Sequence, residues 1–361
     1  MNAGKQFFTA LEALRGIAAI MVMFLHTGGT LGPISANISY LAVDLFFLLS
    51  GVVLANSYEK RLTREQISPT GLLLQRIIRL YPLYLLSLPI GLFSYALKNG
   101  LDYSTLADLL LRAILFIPSA SQEGIFPFNG PSWSLFFELW VGVLFSVLLI
   151  RLSFRSLLAI ALGAAGITIF GASVAGNFDI GPEAGDFRFG FSRVLFSFSL
   201  GICLYRLYDV QKPNTANNGN VIGLLLCGCL IVIANIPARI FFGFPYFDFL
   251  ICLVVFPPLS GLRCARDRPA WSSWYSVGWG GFPIRFISCM APSSVCCSRC
   301  GKRALTFLPL RQPGMVVVVG IFIVAGIAAV HFDEPVRKKL RIMVAPNPAS
   351  AVPAVSNAGP E

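Results

Sequence analysis

Apolar residues along this chain fall into long blocks of similar size, separated by short polar stretches. Many blocks approach the roughly 20 residues that a helix needs to cross a bilayer. The pattern predicts spanning helices at 10–27, 40–57, 77–97, 132–150, 156–174, 191–208, 220–237, 240–260 and 314–331. A tenth is expected within 265–305. The block 105–118, "TLADLLLRAILFIP", is too short to span and reads as an interfacial or re-entrant piece. The alternating pattern of a membrane β-barrel is absent. Thr9 and Glu12 fit a capping box, which puts the start of the first helix near Leu11. That block is a retained helix rather than a cleaved leader. Only Lys5 precedes it, and Glu12, Arg15 and His26 lie within or beside its apolar run.

Composition supports the same class. Of 361 residues, 56% are hydrophobic and 12% charged, about half the charge of a soluble domain. The net charge is +11, but the basic residues sit in short loops between apolar blocks. That distribution orients a membrane protein and argues against nucleic acid as a partner. Lys60, Arg61, Arg64, Arg76 and Arg79 mark a cytoplasmic segment, as do Arg151 with Arg155 and Arg206 with Lys212. Arg263, Arg266 and Arg268, and then Arg337, Lys338, Lys339 and Arg341, complete the set. The acidic stretch 173–190, with Asp179, Glu183 and Asp186, falls outside. The prediction is an all-α polytopic bundle of about ten transmembrane helices with both termini cytoplasmic. Residues 1–341 form one membrane-embedded domain, 210–220 a flexible loop, and 342–361 a disordered tail.

Ionisable groups inside a membrane are costly, so they are the first candidates for chemistry. Arg15 and His26 bracket the first apolar run and are eleven residues apart. At about 100° per residue they share one helix face, about 16 Å apart along the axis. The bland alternative is snorkelling of each residue to its own headgroup layer. Asp44, early in the second helix, is expected near His26, where a carboxylate can orient an imidazole; otherwise it is a helix-start acid favoured by the dipole. Arg76 and Arg79, three apart, suit phosphate recognition or positive-inside anchoring, and Pro82 should kink their helix. Glu138 lies within a span, on one face with Ser134. Arg193 is a candidate partner for it, and Trp133 and Trp140 are candidates for the aromatic belt at the membrane surface. No P-loop, dinucleotide fingerprint, HExxH metal motif or nucleophile elbow occurs.

Four stretches in order, "LRGIAAIMVMFLH", "VDLFFLLSGVVL", "RIIRLYP" and "PSWSLFFELW", resemble the acyltransferase-3 family of integral membrane O-acyltransferases. The resemblance covers residues 9 to about 210 and resumes at 316–340, where "HFDEPVRKKL" is similar to the end of the family's last helix. It implies about ten helices in the inner (plasma) membrane. It also implies transfer of an acyl group, usually acetyl, from cytoplasmic acyl-CoA to a hydroxyl of an extracytoplasmic polysaccharide or lipid-linked sugar. No bound cofactor or metal is implied; acyl-CoA is the donor substrate. The family's first-helix histidine and arginine correspond to His26 and Arg15. Its R-x-x-R pair corresponds to Arg76 and Arg79, and its tryptophan and glutamate to Trp133 and Glu138. A sugar hydroxyl needs a base such as His26, unless His26 carries the acyl group covalently. A thioester carbonyl needs its developing charge stabilised. The phosphates of CoA need cations, which Arg76 and Arg79 supply. A multi-pass transporter of acyl groups or lipid-linked sugars is the alternative from another class. It would use Arg15, Glu138 and His26 as a substrate or proton path.

Residues 262–313 break the pattern. They hold Cys264, Cys289, Cys296, Cys297 and Cys300 and seven arginines, and the apolar run of a span is missing. Cys297 and Cys300 form a C-x-x-C with no second ligand pair for zinc. The expectation is a local reading-frame shift, entered near 262 and corrected near 313, which would make the chain an inactive member of its family if it is real in the organism. Resequencing the coding DNA decides between a shifted and an intact frame.

Overall fold

The computed structural model describes residues 3–26, 39–100, 102–119, 124–210, 320 and 323–344. The predicted spans at 220–237 and 240–260, the expected tenth, the 262–313 stretch and most of the tail lie outside the described residues. Within them the protein is helical and contains no β-strand. Helix α1 runs Ala3–His26, and a 3-10 turn at Ser39–Leu41 leads into α2, Ala42–Thr63. Helix α3 spans Pro69–Asn99, α4 Tyr103–Ile114, and α5 Ser132–Val147. Helix α6 covers Phe154–Ala175 and α7 Phe187–Val210. Near the end, a π-helical turn at Ala329–Asp333 runs into α8, Glu334–Val344.

Local chemistry accounts for several boundaries. Ser68 Oγ accepts from the Gly71 amide at the start of α3, with Pro69 in the first turn, where its missing N–H costs nothing. Asp102 caps α4 through the Thr105 amide, and Ser153 caps α6 through the Ser156 amide. Gly176 ends α6 at φ 75°, a left-handed position that glycine adopts without strain. The capping-box expectation for α1 is overturned. The helix begins at Ala3, so Thr9 and Glu12 are interior positions, where an i, i+3 pair is as natural as in a cap. Helix α3 also starts earlier than its apolar run. Arg76 and Arg79 therefore lie inside it, and it continues through Pro82 and Pro89.

Segments Ser39–Thr63, Pro69–Asn99, Phe154–Ala175 and Phe187–Leu207 are long and apolar enough to cross a membrane; Leu14–Met23 and Ser132–Val147 are shorter apolar helices. Helix α7 is the centre of the packing, lying against α6 on one side and α2 on the other. Gly51 of α2 and Gly201 of α7 allow their helices to touch backbone to backbone. A Cβ on Gly51 would stand 2.2 Å from the Phe198 carbonyl oxygen, and one on Gly201 2.2 Å from that of Leu48. Helices in lipid gain little from burying apolar area against each other, so close contact through small residues carries their association. One apolar core joins α1, α2, α6 and α7; a second joins α2, α3, α4, α5 and α7. Helix α4 exposes Leu111 and Ile114 while burying Leu109 and Ala113, the two-faced pattern of a helix lying along an interface.

Candidate active site

The end of α1, the starts of α2 and α5 and the α6–α7 loop line a mainly apolar cavity of about 70 Å³. His26, Trp133, Ser134 and Glu138 line it, together with Tyr40, Phe46, Phe47 and Asp179. Four of the residues singled out from the sequence therefore share one space. His26, the last residue of α1, is exposed. Ser134 and Glu138 face the cavity from successive turns of α5, as their spacing requires, and the Ser134 hydroxyl donates to the Pro131 carbonyl at 2.8 Å.

Glu138 is buried and anchored from behind. Arg76 Nη2 donates to its Oε1 at 2.6 Å, and Ser50 Oγ donates to the same oxygen at 2.9 Å. The cationic charges of buried Arg15 and half-buried Arg79 also act on it. Helix α5 presents Gly142 beside this pair; a Cβ there would sit 3.0 Å from Arg76 Nε. The R-x-x-R residues thus divide: Arg76 is held by Glu138, while Arg79 stays half-buried.

Two expected pairings are corrected. Arg193 does not partner Glu138. Fully buried, it donates from Nε to Asp44 Oδ1 and Oδ2 at 3.1 and 3.0 Å, and from Nη2 to Oδ2 at 2.6 Å. Its remaining donors reach the Ile180 and Tyr40 carbonyls, both at 3.0 Å. Asp44, for its part, does not meet His26. Its carboxylate lies in the Arg193 fork, where Ser197 also donates to it, and it is not part of the cavity wall. The reason is geometric: guanidinium offers a planar fork that matches both carboxylate oxygens, and an enclosed carboxylate needs its full set of donors. This fork ties α2, α7 and the α6–α7 loop together beside the cavity. Trp133 is also no surface-belt residue. It is buried, edge-on to Phe47 at 6.3 Å and Phe137 at 6.2 Å, with the Arg193 guanidinium 5.8 Å from its ring. Trp140 is 52% exposed and fits a belt.

Asp179, Ser50 and Tyr40 are the site residues the sequence did not single out. Asp179 stands out there only as one acid of an outer loop, and the other two have neutral side chains with no distinguishing spacing. At the opposite end of α2, Arg206 of α7 donates to Glu59 at 2.8 Å and to the Leu152 and Ile150 carbonyls. Arg206 is thus a strut between helices as well as a loop charge.

A model of the acyltransferase-3 family, described as an acyltransferase domain, matches residues 8–288. The match passes residue 262 and stops within the cysteine- and arginine-rich stretch. The chain is 37% identical over 155 residues to "Protein 2 in picA locus" of Rhizobium radiobacter, covering 38% of this chain and 81% of that protein. It is 33% identical over 141 residues to "Acyltransferase MdmB" of Streptomyces mycarofaciens, covering 35% of each. No solved structure matches it. A family match over most of the chain, on a helical membrane scaffold, is sufficient: the chain belongs to the acyltransferase-3 family and is a membrane acyltransferase, moving acyl groups other than aminoacyl groups.

Proposed function

We propose that the protein moves an acyl group, acetyl by preference, from cytoplasmic acyl-CoA to a hydroxyl of an extracytoplasmic polysaccharide or lipid-linked sugar. The observation that carries this reading is the cavity shared by exposed His26 and buried Glu138. His26 takes the proton of the acceptor hydroxyl as its oxygen attacks the thioester carbonyl. The carbon–sulfur bond breaks and CoA leaves as a thiolate that takes up a proton. Donors beside the carbonyl stabilise the developing oxyanion; among the described wall residues Tyr40 carries a hydroxyl, while that of Ser134 is spent on the Pro131 carbonyl. Arg76 and Arg15 hold the Glu138 side of the cavity in a fixed charge balance, and Arg79 supplies a cation for the CoA phosphates. Trp133, Phe46 and Phe47 offer apolar surface to the acyl chain or to a sugar face.

Charge supports the direction of transfer. The cavity lies at the His26 end of the bundle, away from Lys60, Arg61, Arg151 and Arg206, which the positive-inside rule assigns to the cytoplasm. In this reading the inner (plasma) membrane holds the bundle with its cavity facing out, and both termini are cytoplasmic.

The test supplies labelled acetyl-CoA and envelope glycans to membranes that contain either the protein or its His26→Ala variant. Label should appear on glycan with the protein and disappear with the variant. Equal labelling by both versions, or none by either, overturns the proposal.

A further inference from the structure

Resting on the catalytic reading of His26, we propose that Asp179 is a positioning residue for it, orienting the imidazole and stabilising its protonated form during transfer. Asp179 and His26 line the same cavity, and the carboxylate charge acts on the imidazole. Among the described residues, the other ionisable groups of the wall are accounted for. Glu138, from α5, is bound by Arg76 and Ser50, and Tyr40 contributes a phenol. Helix α2 contributes only Val43, Phe46 and Phe47 to the wall, since its Asp44 is enclosed in the Arg193 fork.

The loop bearing Asp179 is built to hold it. Phe178 and Ile180 on either side are fully buried. The Asp179 amide donates to Asn177 Oδ1 at 2.9 Å. The Ile180 carbonyl accepts from Arg193, and Asp186 Oδ1 accepts from the Gly181 and Glu183 amides. Arg193 Nη1 stands 3.6 Å from Asp179 Oδ1, while the Asp179 side chain stays 42% exposed. A carboxylate in the same cavity as a catalytic imidazole stabilises the imidazolium that forms when the hydroxyl proton is taken.

The test compares Asp179→Asn and Asp179→Glu with the protein in membranes, using two readouts. The first is kcat and KM for acetyl transfer. The second is the rate of His26 carbethoxylation by diethyl pyrocarbonate against pH, followed on the His26 peptide; this needs no acyl acceptor. The chain has only two histidines, so the labelled peptides are easily separated. Asp179→Asn should lower kcat on the order of 10- to 100-fold with KM little changed, and Asp179→Glu should recover part of the loss. Carbethoxylation of His26 should reach half its maximum at a lower pH in Asp179→Asn, because a neutral neighbour favours the unprotonated ring. Unchanged kcat and an unchanged labelling profile overturn the inference, as does a loss of rate matched by loss of folded protein. If the wild type transfers no acetyl, labelling alone decides. A shifted profile then upholds the Asp179–His26 relation while the proposed reaction fails, and an unshifted one overturns both.

Discussion

Glu138 and Arg76 show why a buried pair has to be tested in two ways. Their 2.6 Å contact lies among buried side chains, where removing one partner leaves an uncompensated charge at a cost of about 3–5 kcal/mol. Glu138→Gln should therefore lower both thermal stability in detergent and acetyl transfer. In the double variant Arg76→Met, Glu138→Leu both charges of the pair are removed together and only the weaker influence of Arg15 and Arg79 loses its counter-charge, so stability should recover most of the loss. If Glu138 takes part in the reaction, transfer stays absent in that variant; recovery of transfer along with stability would make the pair purely structural. The Asp44–Arg193 fork has a different standing. It is fully enclosed and lies outside the cavity wall, so it reaches the chemistry only through the elements it holds. Both pairs join groups on separate helices, and Asp44 and Arg193 are 149 residues apart. Spacing rules cover neighbours on one helix. Ser134 and Glu138 could therefore be grouped in advance, whereas Arg193 was matched to the wrong acid.

Helices α2 and α7 carry most of what positions the site, and their contact depends on two glycines. Gly201→Ala should push the helices apart, since its Cβ would meet the Leu48 carbonyl at 2.2 Å. The expected loss is on the order of 1–3 kcal/mol, read as a lower melting temperature in detergent. Transfer should fall with it, because the Asp44–Arg193 fork bridges the same two helices. Gly166→Ala on α6 is the control. Among the described residues, nothing beyond its own helix backbone and chain neighbours lies within 4 Å of that Cβ, so stability should hold or rise slightly. An equal response at the two positions would refute the close-packing account. Apolar block lengths placed α2, α5, α6 and α7 within a few residues, because a spanning segment must satisfy every backbone group internally and so must be helical. The starts of α1 and α3 escaped that logic. Polar turns extend both helices beyond their apolar runs, where length in lipid is no longer the constraint.

Across the molecule, charge and cavity point the same way. The cavity lies at the end that holds His26, Tyr40, Pro131 and Pro182, and the Arg206–Glu59 strut links α2 and α7 at their opposite end. An alkaline phosphatase domain fused after Gly176 should be active, having been exported with the α6–α7 loop. The same domain fused after Arg151 should be inactive. The reverse pattern would turn the cavity toward the cytoplasm and remove the geometric basis for modifying an external acceptor.

Local chemistry in the chain was enough to determine a helical membrane protein, α1 to α3 and α5 to α7 as helices, and His26, Ser134 and Glu138 as residues worth testing, while α8 reaches into the expected tail and Trp133 was marked as a site residue by the family resemblance. The helices and the three polar residues follow from rules that act over one helix or one bilayer thickness: transfer cost, helical periodicity, and the expense of an ionisable group in hydrocarbon. Tertiary structure alone decided which acid meets which arginine, that Trp133 is core rather than belt, and that Asp179 rather than Asp44 shares the cavity with His26. Those outcomes depend on which helix faces meet, and that is settled by close packing at Gly51 and Gly201 and by the donor geometry around each buried carboxylate.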